Sequence, residues 1–317
     1  FPQTFIDRTA VETPENRQHV NFFSTGPDLT LPLGDRTQLS VMGRWSRATY
    51  EFSESDDERV LGNLGVIRQL GEHSRVSLNG QTESVEFDAS AGGDGYDRHS
   101  AYLGFEATGA KTRLSARAGV ITLDALGDTT TEPLFDVTVS RETSARSELT
   151  LNAGTTFTDS AEMLRRDQSL GGVEVGNDDI VASNDPFQSD FARLAWTPNG
   201  ARTTFGVTLD WNDEKHENFE LLDRSRVSSA VILSRRISST LTGSLGGEWR
   251  SEDFEESDVS FDEWGASLGL DWTMSSRMDL TLRGDHFKGS GDSFGAPGAR
   301  DYTENRVSVA LTFKPHC

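Results

Sequence analysis

Trp264-Gly265-Ala266-Ser267-Leu268-Gly269-Leu270-Asp271-Trp272 is the stretch that decides the fold. Trp264, Ala266, Leu268, Leu270 and Trp272 are apolar, and Gly265, Ser267, Gly269 and Asp271 between them are small or polar. A side-chain period of two belongs to a β-strand with one greasy and one wet face. Near the end of the chain Val307, Val309, Leu311 and Phe313 alternate in the same way with Ser308, Ala310 and Thr312. Recurring through 317 residues, the pattern implies one closed sheet with oil on one side and water on the other.

Composition narrows the choice. Only 34% of the chain is hydrophobic, which is little for a soluble core at this length. The longest aliphatic run, Ala230-Val231-Ile232-Leu233, falls far short of the ~20 apolar residues of a transmembrane helix. A membrane barrel reconciles these facts, because its lipid-facing residues are diluted one for one by lumen residues. Thirty glycines, several inside the alternating stretches (Gly43, Gly80, Gly119, Gly206, Gly243, Gly269), suit a curved wall. The net charge of −21 argues against nucleic acid, whose phosphates need clustered Lys and Arg. The single cysteine, Cys317, cannot close an internal disulfide and makes no metal site alone. No metal or cofactor is expected. The opening Phe1-Pro2-Gln3 carries no secretory leader, as expected of a processed chain.

Turns and strands alternate regularly. Strands are expected at about 21–33, 37–52, 58–70, 75–88, 98–108, 111–123, 132–142, 146–158, 188–198, 201–212, 218–236, 239–251, 259–273, 276–288 and 303–313. Short connectors such as Gly34-Asp35-Arg36, Gly71-Glu72-His73-Ser74 and Pro198-Asn199-Gly200 carry turn chemistry. They alternate with long acidic ones, Ser53 to Glu58, Asp88 to Arg98, Asn212 to Glu217, Ser251 to Asp258 and Gly289 to Glu304. Tight inner turns and extended outer loops are the asymmetry of outer-membrane barrels. An odd count would leave an unpaired edge in lipid, so residues 1–9 are expected to supply one more strand. The expectation is a single-domain, all-β, transmembrane, antiparallel up-and-down β-barrel of about 16 strands, with 14 and 18 as alternatives. Residues 159–187 are expected to form a long outer loop, a plainer reading than a constriction folded into the pore, and 314–317 a short periplasmic tail.

Projection of the strands sorts the side chains. All six tryptophans (Trp45, Trp196, Trp211, Trp249, Trp264 and Trp272) fall on the outward, apolar face, where aromatic rings suit the headgroup level. The opposite face collects Arg44, Arg113, Arg117, Asp136, Arg193, Asp210, Glu248, Asp271, Asp279, Arg283 and Asp285. Charges of mixed sign are costly in a dry core and ordinary in a wet lumen, so these are the candidate lumen-lining residues. Cross-strand pairing that stiffens the wall is their plainer role. Phe313, the aromatic that closes the last alternating strand, is the candidate insertion signal; Lys314-Pro315-His316-Cys317 follows it.

Three stretches taken together resemble a known family. They are Phe23-Ser24-Thr25-Gly26-Pro27-Asp28-Leu29-Thr30-Leu31 leading into Leu39-Ser40-Val41-Met42-Gly43, then Asn184-Asp185-Pro186-Phe187, and Tyr302-Thr303-Glu304-Asn305-Arg306-Val307-Ser308-Val309. The likeness is to the β-barrel porin type 2 family, outer-membrane proteins often encoded with exopolysaccharide or capsule synthesis genes. It implies a Gram-negative outer-membrane barrel that helps a polysaccharide cross, with polysaccharide-export components as partners and no catalytic residues to carry over.

Catalysis has little to build on. Of His19, His73, His99, His216, His286 and His316, all but His286 are expected in loops, turns or tails, and His286 and its neighbour Asp285 point to opposite faces. The expectation is therefore not an enzyme. It is a conduit or export partner for extracellular polysaccharide, with a general diffusion porin and a non-conducting scaffold as alternatives. Its surroundings would be outer-membrane lipid and lipopolysaccharide.

Overall fold

The computed structural model describes residues 3–5, 17–51, 56–88, 95–125, 127–159, 185–217, 220–255, 259–292 and 301–313. Residues 160–184, the body of the expected outer loop, and the tail 314–317 lie outside the described residues. The strands are β1 (Gln3–Phe5), β2 (Arg17–Thr25), β3 (Asp28–Gly34), β4 (Thr37–Tyr50), β5 (Asp57–Gly71), β6 (Ser74–Phe87), β7 (Tyr96–Thr108), β8 (Thr112–Ala125) and β9 (Asp128–Ser144). They continue as β10 (Ser147–Thr158), β11 (Phe187–Pro198), β12 (Thr203–His216), β13 (Arg224–Arg236), β14 (Leu241–Phe254), β15 (Val259–Ser275), β16 (Met278–Gly291) and β17 (Tyr302–Phe313). All seventeen belong to one sheet. β2 and β3 lie end to end against β4, through Val20–Thr25 and Asp28–Gly34, so seventeen segments make sixteen strands (17 − 1). The chain is thus an all-β, antiparallel, up-and-down sheet of the expected strand number.

Two compact units divide the chain, 1–139 with 152–191 and 214–220, and 140–151 with 192–213 and 221–317. Within the first, β4 to β8 form successive hairpins in register. One cross-strand row runs Leu39, Val66, Leu78, Leu103, Ala118. Of this row, Val66, Leu78 and Leu103 are exposed. On the opposite face Val85, Tyr96, Ile121 and Leu123 of β6 to β8 are buried in one cluster with Leu134 of β9 and Phe157 of β10. Within the second unit, β13 to β17 repeat the arrangement. Trp249 stands directly opposite Trp264, and both are exposed. Trp264 and Trp272 lie eight residues apart on β15 (272 − 264), about 26 Å along a strand, comparable with the ~25 Å apolar band of a membrane barrel.

Several boundaries differ from expectation. The expected strand 21–33 breaks at Gly26-Pro27, since Pro has no N–H for the ladder. A Cβ on Gly26 would run into the Gly43 carbonyl of β4, so only glycine lets the chain pass that close. The sixteenth strand is only Gln3–Phe5, paired to β2 as Gln3 with His19 and Phe5 with Arg17. At the long-connector end the strands run further than expected: Asp57, Tyr96, Asp213 to His216 and Glu252 to Phe254 belong to β5, β7, β12 and β14. Cross-strand hydrogen bonding continues there although neither face is uniformly apolar, so hydrophobic alternation fades before the ladder does. His19 and His216 accordingly sit in strands, not in loops or tails, and His99 lies in β7 within the expected strand 98–108. The expected strand 218–236 starts at Arg224, after a 3-10 turn at Glu220–Leu222.

A charge placed in the exposed apolar row tests which solvent that face meets. Leu268→Arg is expected to cost about 2–4 kcal/mol in urea unfolding from lipid vesicles, whereas Ser308→Asn, on the other face, should stay within about 0.5 kcal/mol.

Candidate functional site

The polar face changes character along the strands in each unit separately. In the first unit, towards the short turns, it presents Ser40, Asn63, Ser77, Asn79 and Gln81, all half-exposed. Towards the long connectors it is dry. Asp57, Arg59, Glu83, Arg98 and Asp159 are each 5% exposed or less. Alternation puts Asp57 and Arg59 on one face of β5, so the Arg59 guanidinium forks onto Asp57, Nε to Oδ1 at 2.6 Å and Nη2 to Oδ2 at 2.9 Å. A second fork reaches Asp159, Nη1 to Oδ2 at 2.6 Å and Nη2 to Oδ1 at 3.0 Å. The Tyr96 hydroxyl donates to the same Asp159 carboxylate. Arg98 donates to the Phe157 carbonyl at 2.7 Å and pairs with Glu83. Bidentate, charge-assisted contacts of this kind are what makes a buried ion tolerable.

The second unit is built alike. Arg224 pairs with Glu252 at 3.0 Å, both 5% exposed or less, and Arg250 with Glu263 at 3.2 Å while lying over the Phe261 ring at 5.7 Å. Phe261 stacks on Tyr302 with ring centroids 6.2 Å apart. Towards the short turns this face carries Thr242, Ser244, Gly246, Ser267 and Gly269, half-exposed. In both units the polar face is accessible towards the short turns, where small residues stand among exposed charges such as Arg75 with Glu106 at 2.6 Å and Asp271, and packed and ion-paired towards the long connectors. Outside the strands, burial pushes the Glu217 carboxyl above its ordinary range, although the Thr130 hydroxyl donates to it at 3.1 Å.

The charged residues singled out from the sequence are dispersed along the wall, several of them in ion pairs. Arg117 meets Asp136 at 3.4 Å, Arg193 meets Asp210 at 3.2 Å and Arg283 meets Asp285 at 2.8 Å. Arg44 pairs with Asp28 and donates to the Pro27 carbonyl at 3.2 Å, and Asp271 accepts from the Thr281 hydroxyl at 2.8 Å. Arg113, Glu248 and Asp279 stand on β8, β14 and β16. The wet lumen expected for such charges is not the whole picture: the most buried ones sit in a dry, packed end. All six tryptophans are exposed, from 38% at Trp45 to 45% at Trp264. The Trp196 indole donates to the Ser147 hydroxyl at 2.8 Å. Phe313 is exposed at the end of β17, opposite Met278. Among the histidines, His99 Nδ1 lies 2.8 Å from the Thr82 hydroxyl, and His286 Nδ1 lies 2.8 Å from Asn305 Oδ1. His216 packs against Phe187, ring centroids 4.8 Å apart.

Sequence reasoning missed the Arg59 and Arg98 networks. Asp57, Arg98 and Asp159 fell inside segments read as connectors. The signal was present, since Asp57 with Arg59 and Tyr96 with Arg98 continue the period of two past the last exposed apolar residue. Asp159 and Asp185, the described residues on either side of 160–184, are both buried.

Among solved structures, the chain is similar to OmpT, an outer membrane protein of Vibrio cholerae, at 9% identity over 93% of this chain and 97% of that one, TM-score 0.42. An anion-selective porin from Comamonas acidovorans aligns at 12% identity over 93% and 99%, TM-score 0.38. The FrpB iron transporter from Neisseria meningitidis aligns at 8% identity over 94% and 63%, TM-score 0.48. No family model and no curated protein matches the chain. Likeness at this level transfers no function, and the assignment rests on the two faces themselves. An up-and-down sheet of sixteen strands, apolar and tryptophan-bearing on one side and charged on the other, is the fold class of Gram-negative outer-membrane β-barrels.

Removing Arg59 would strand two buried carboxylates. Arg59→Leu is expected to lower unfolding stability by about 3–5 kcal/mol, and Arg75→Leu, whose side chain and whose partner Glu106 are both exposed, by about 1 kcal/mol or less. Tryptophan fluorescence along a urea series would separate the two.

Proposed function

We propose that this chain is a non-enzymatic outer-membrane barrel whose polar face carries a hydrated solute, open towards the periplasm and constricted towards the outside. The observation that carries the reading is the gradient along that face. Small hydroxyl and amide side chains at the short-turn end can exchange hydrogen bonds with a hydroxyl-rich solute and hold no unpaired charge that would trap it. The ion pairs at the other end narrow the path. Short turns mark the periplasmic side, so the accessible end faces the compartment from which an exported molecule arrives.

Extracellular polysaccharide is the substrate that fits this direction and chemistry, and the sequence likeness to the β-barrel porin type 2 family points the same way. On this reading Arg44, Arg113, Arg117, Asp136, Arg193, Asp210, Glu248, Asp271, Asp279, Arg283 and Asp285 line the path. The tryptophans set the two membrane interfaces, Phe313 serves in insertion, and lipopolysaccharide surrounds the outer rim. Polysaccharide-export components would be its partners.

The dry Arg59 and Arg98 networks favour a second reading, a scaffold barrel that conducts nothing. Planar-bilayer recording separates the two. A conduit should give discrete conductance steps that added polysaccharide interrupts, and the double variant Glu83→Ala with Arg98→Ala, which removes a neutral pair, should enlarge them. Silence from wild type and variant alike would leave the scaffold.

A further inference from the structure

The outward face of the second unit is not evenly covered. Two neighbouring cross-strand rows run over β13 to β17. The first is Leu233, Leu245, Leu268, Gly284 and Val307, and the second is Arg235, Gly243, Leu270 and Leu282. Each row contains one glycine, and the missing side chains leave a depression of about 670 Å³ walled by these leucines and Val307. That volume falls within the ~300–1,000 Å³ range of small-molecule sites. Leu268 and Val307 on its rim are 66% and 83% exposed. A Cβ added at Gly284 would meet nothing within 4 Å, and one at Gly243 would meet Ile237 at 3.3 Å and the Gly269 carbonyl at 4.0 Å. The glycines are therefore not demanded by packing within this sheet.

One cation belongs to this surface. Of the two arginines that line the depression, Arg283 lies on the polar face and pairs with Asp285 at 2.8 Å. Arg235 shares the outward face with Val231 and Leu233 and is exposed, one residue before the end of β13. Its cross-strand neighbour is Gly243, so nothing from that position covers the guanidinium. Arg236 beside it is already engaged, donating to the Ala201 carbonyl at 2.7 Å. A greasy trough with a single positive group at its short-turn end matches an amphiphile with an anionic head.

We propose that this trough binds one phospholipid of the periplasmic leaflet, an acyl chain along the Gly243 and Gly284 gaps and the phosphate on Arg235. The proposal rests on the membrane reading given above. A guanidinium holds phosphate through paired N–H donors, and an acyl chain already in the bilayer gains van der Waals packing along the trough. Lipopolysaccharide would approach from the long-connector side, away from Arg235.

Native mass spectrometry of the full chain, inserted into phosphatidylglycerol vesicles and then extracted in mild detergent, tests this directly. Wild type is expected to retain one phosphatidylglycerol. Arg235→Gln should weaken retention roughly tenfold, the loss of one charge-assisted contact. Gly284→Leu, which the open space accepts, should abolish it. Diacylglycerol of the same chain length should be held no better by wild type than by Arg235→Gln. Equal retention by all three proteins, or a dimer mass with no lipid, overturns the site while leaving the membrane reading intact. Failure of the wild-type chain to enter the vesicles at all overturns both.

Discussion

Hydrocarbon supplies no hydrogen bonds, and that single constraint governs this molecule. Every backbone N–H and carbonyl placed in lipid must find its partner on the neighbouring strand. The long in-register ladders of β4 to β8 and of β13 to β17 are the response, and they explain why the side chains can be so sparse in hydrophobic residues. A wall one residue thick needs greasy groups on one side only. What a soluble protein would bury, such as Leu78, Leu103, Leu268 or Val309, stands exposed here.

Once the wall faces two solvents, the polar side is free to do what dry cores seldom allow. Arg59 sits between Asp57 and Asp159 with both forks filled, a buried arrangement that would be ruinous if any partner were missing. The same economy appears at Arg224 with Glu252. These pairs tie strands at the long-connector end, where apolar burial on the outer face has run out. Towards the short turns small residues such as Ser77, Ser244 and Ser267 leave the face accessible. A graded interior follows from one repeated device, alternation, filled with different residues at different heights.

How much of this was legible beforehand depends on which face carried the signal. The Trp264 to Trp272 stretch gives strand, faces and membrane height by itself, because each apolar residue meets the same solvent. The count of sixteen followed from the need to leave no edge, and Gln3–Phe5 was found within the segment that argument named. The kink at Gly26-Pro27 was written in the residues and passed over. Asp57 and Tyr96 belong to strands although an acidic run reads as a loop when only hydrophobicity is followed. Arg59 and Asp159 lie one hundred residues apart, and no local pattern reveals such a pairing. The trough at Gly243 and Gly284 is invisible for the same reason: it exists only when β13 to β17 are laid side by side.

Cysteine scanning of β15 in a Cys317→Ser background, inserted in lipid vesicles, addresses the two-solvent wall most directly. Positions 267, 269 and 271, on the accessible stretch of the polar face, should react with a charged, water-borne thiol reagent, while 266, 268 and 270 should react only with a lipid-soluble one. Labelling that ignores parity, or a water-borne reagent that reaches Leu268 and its even-numbered neighbours as readily as Ser267, would contradict the account.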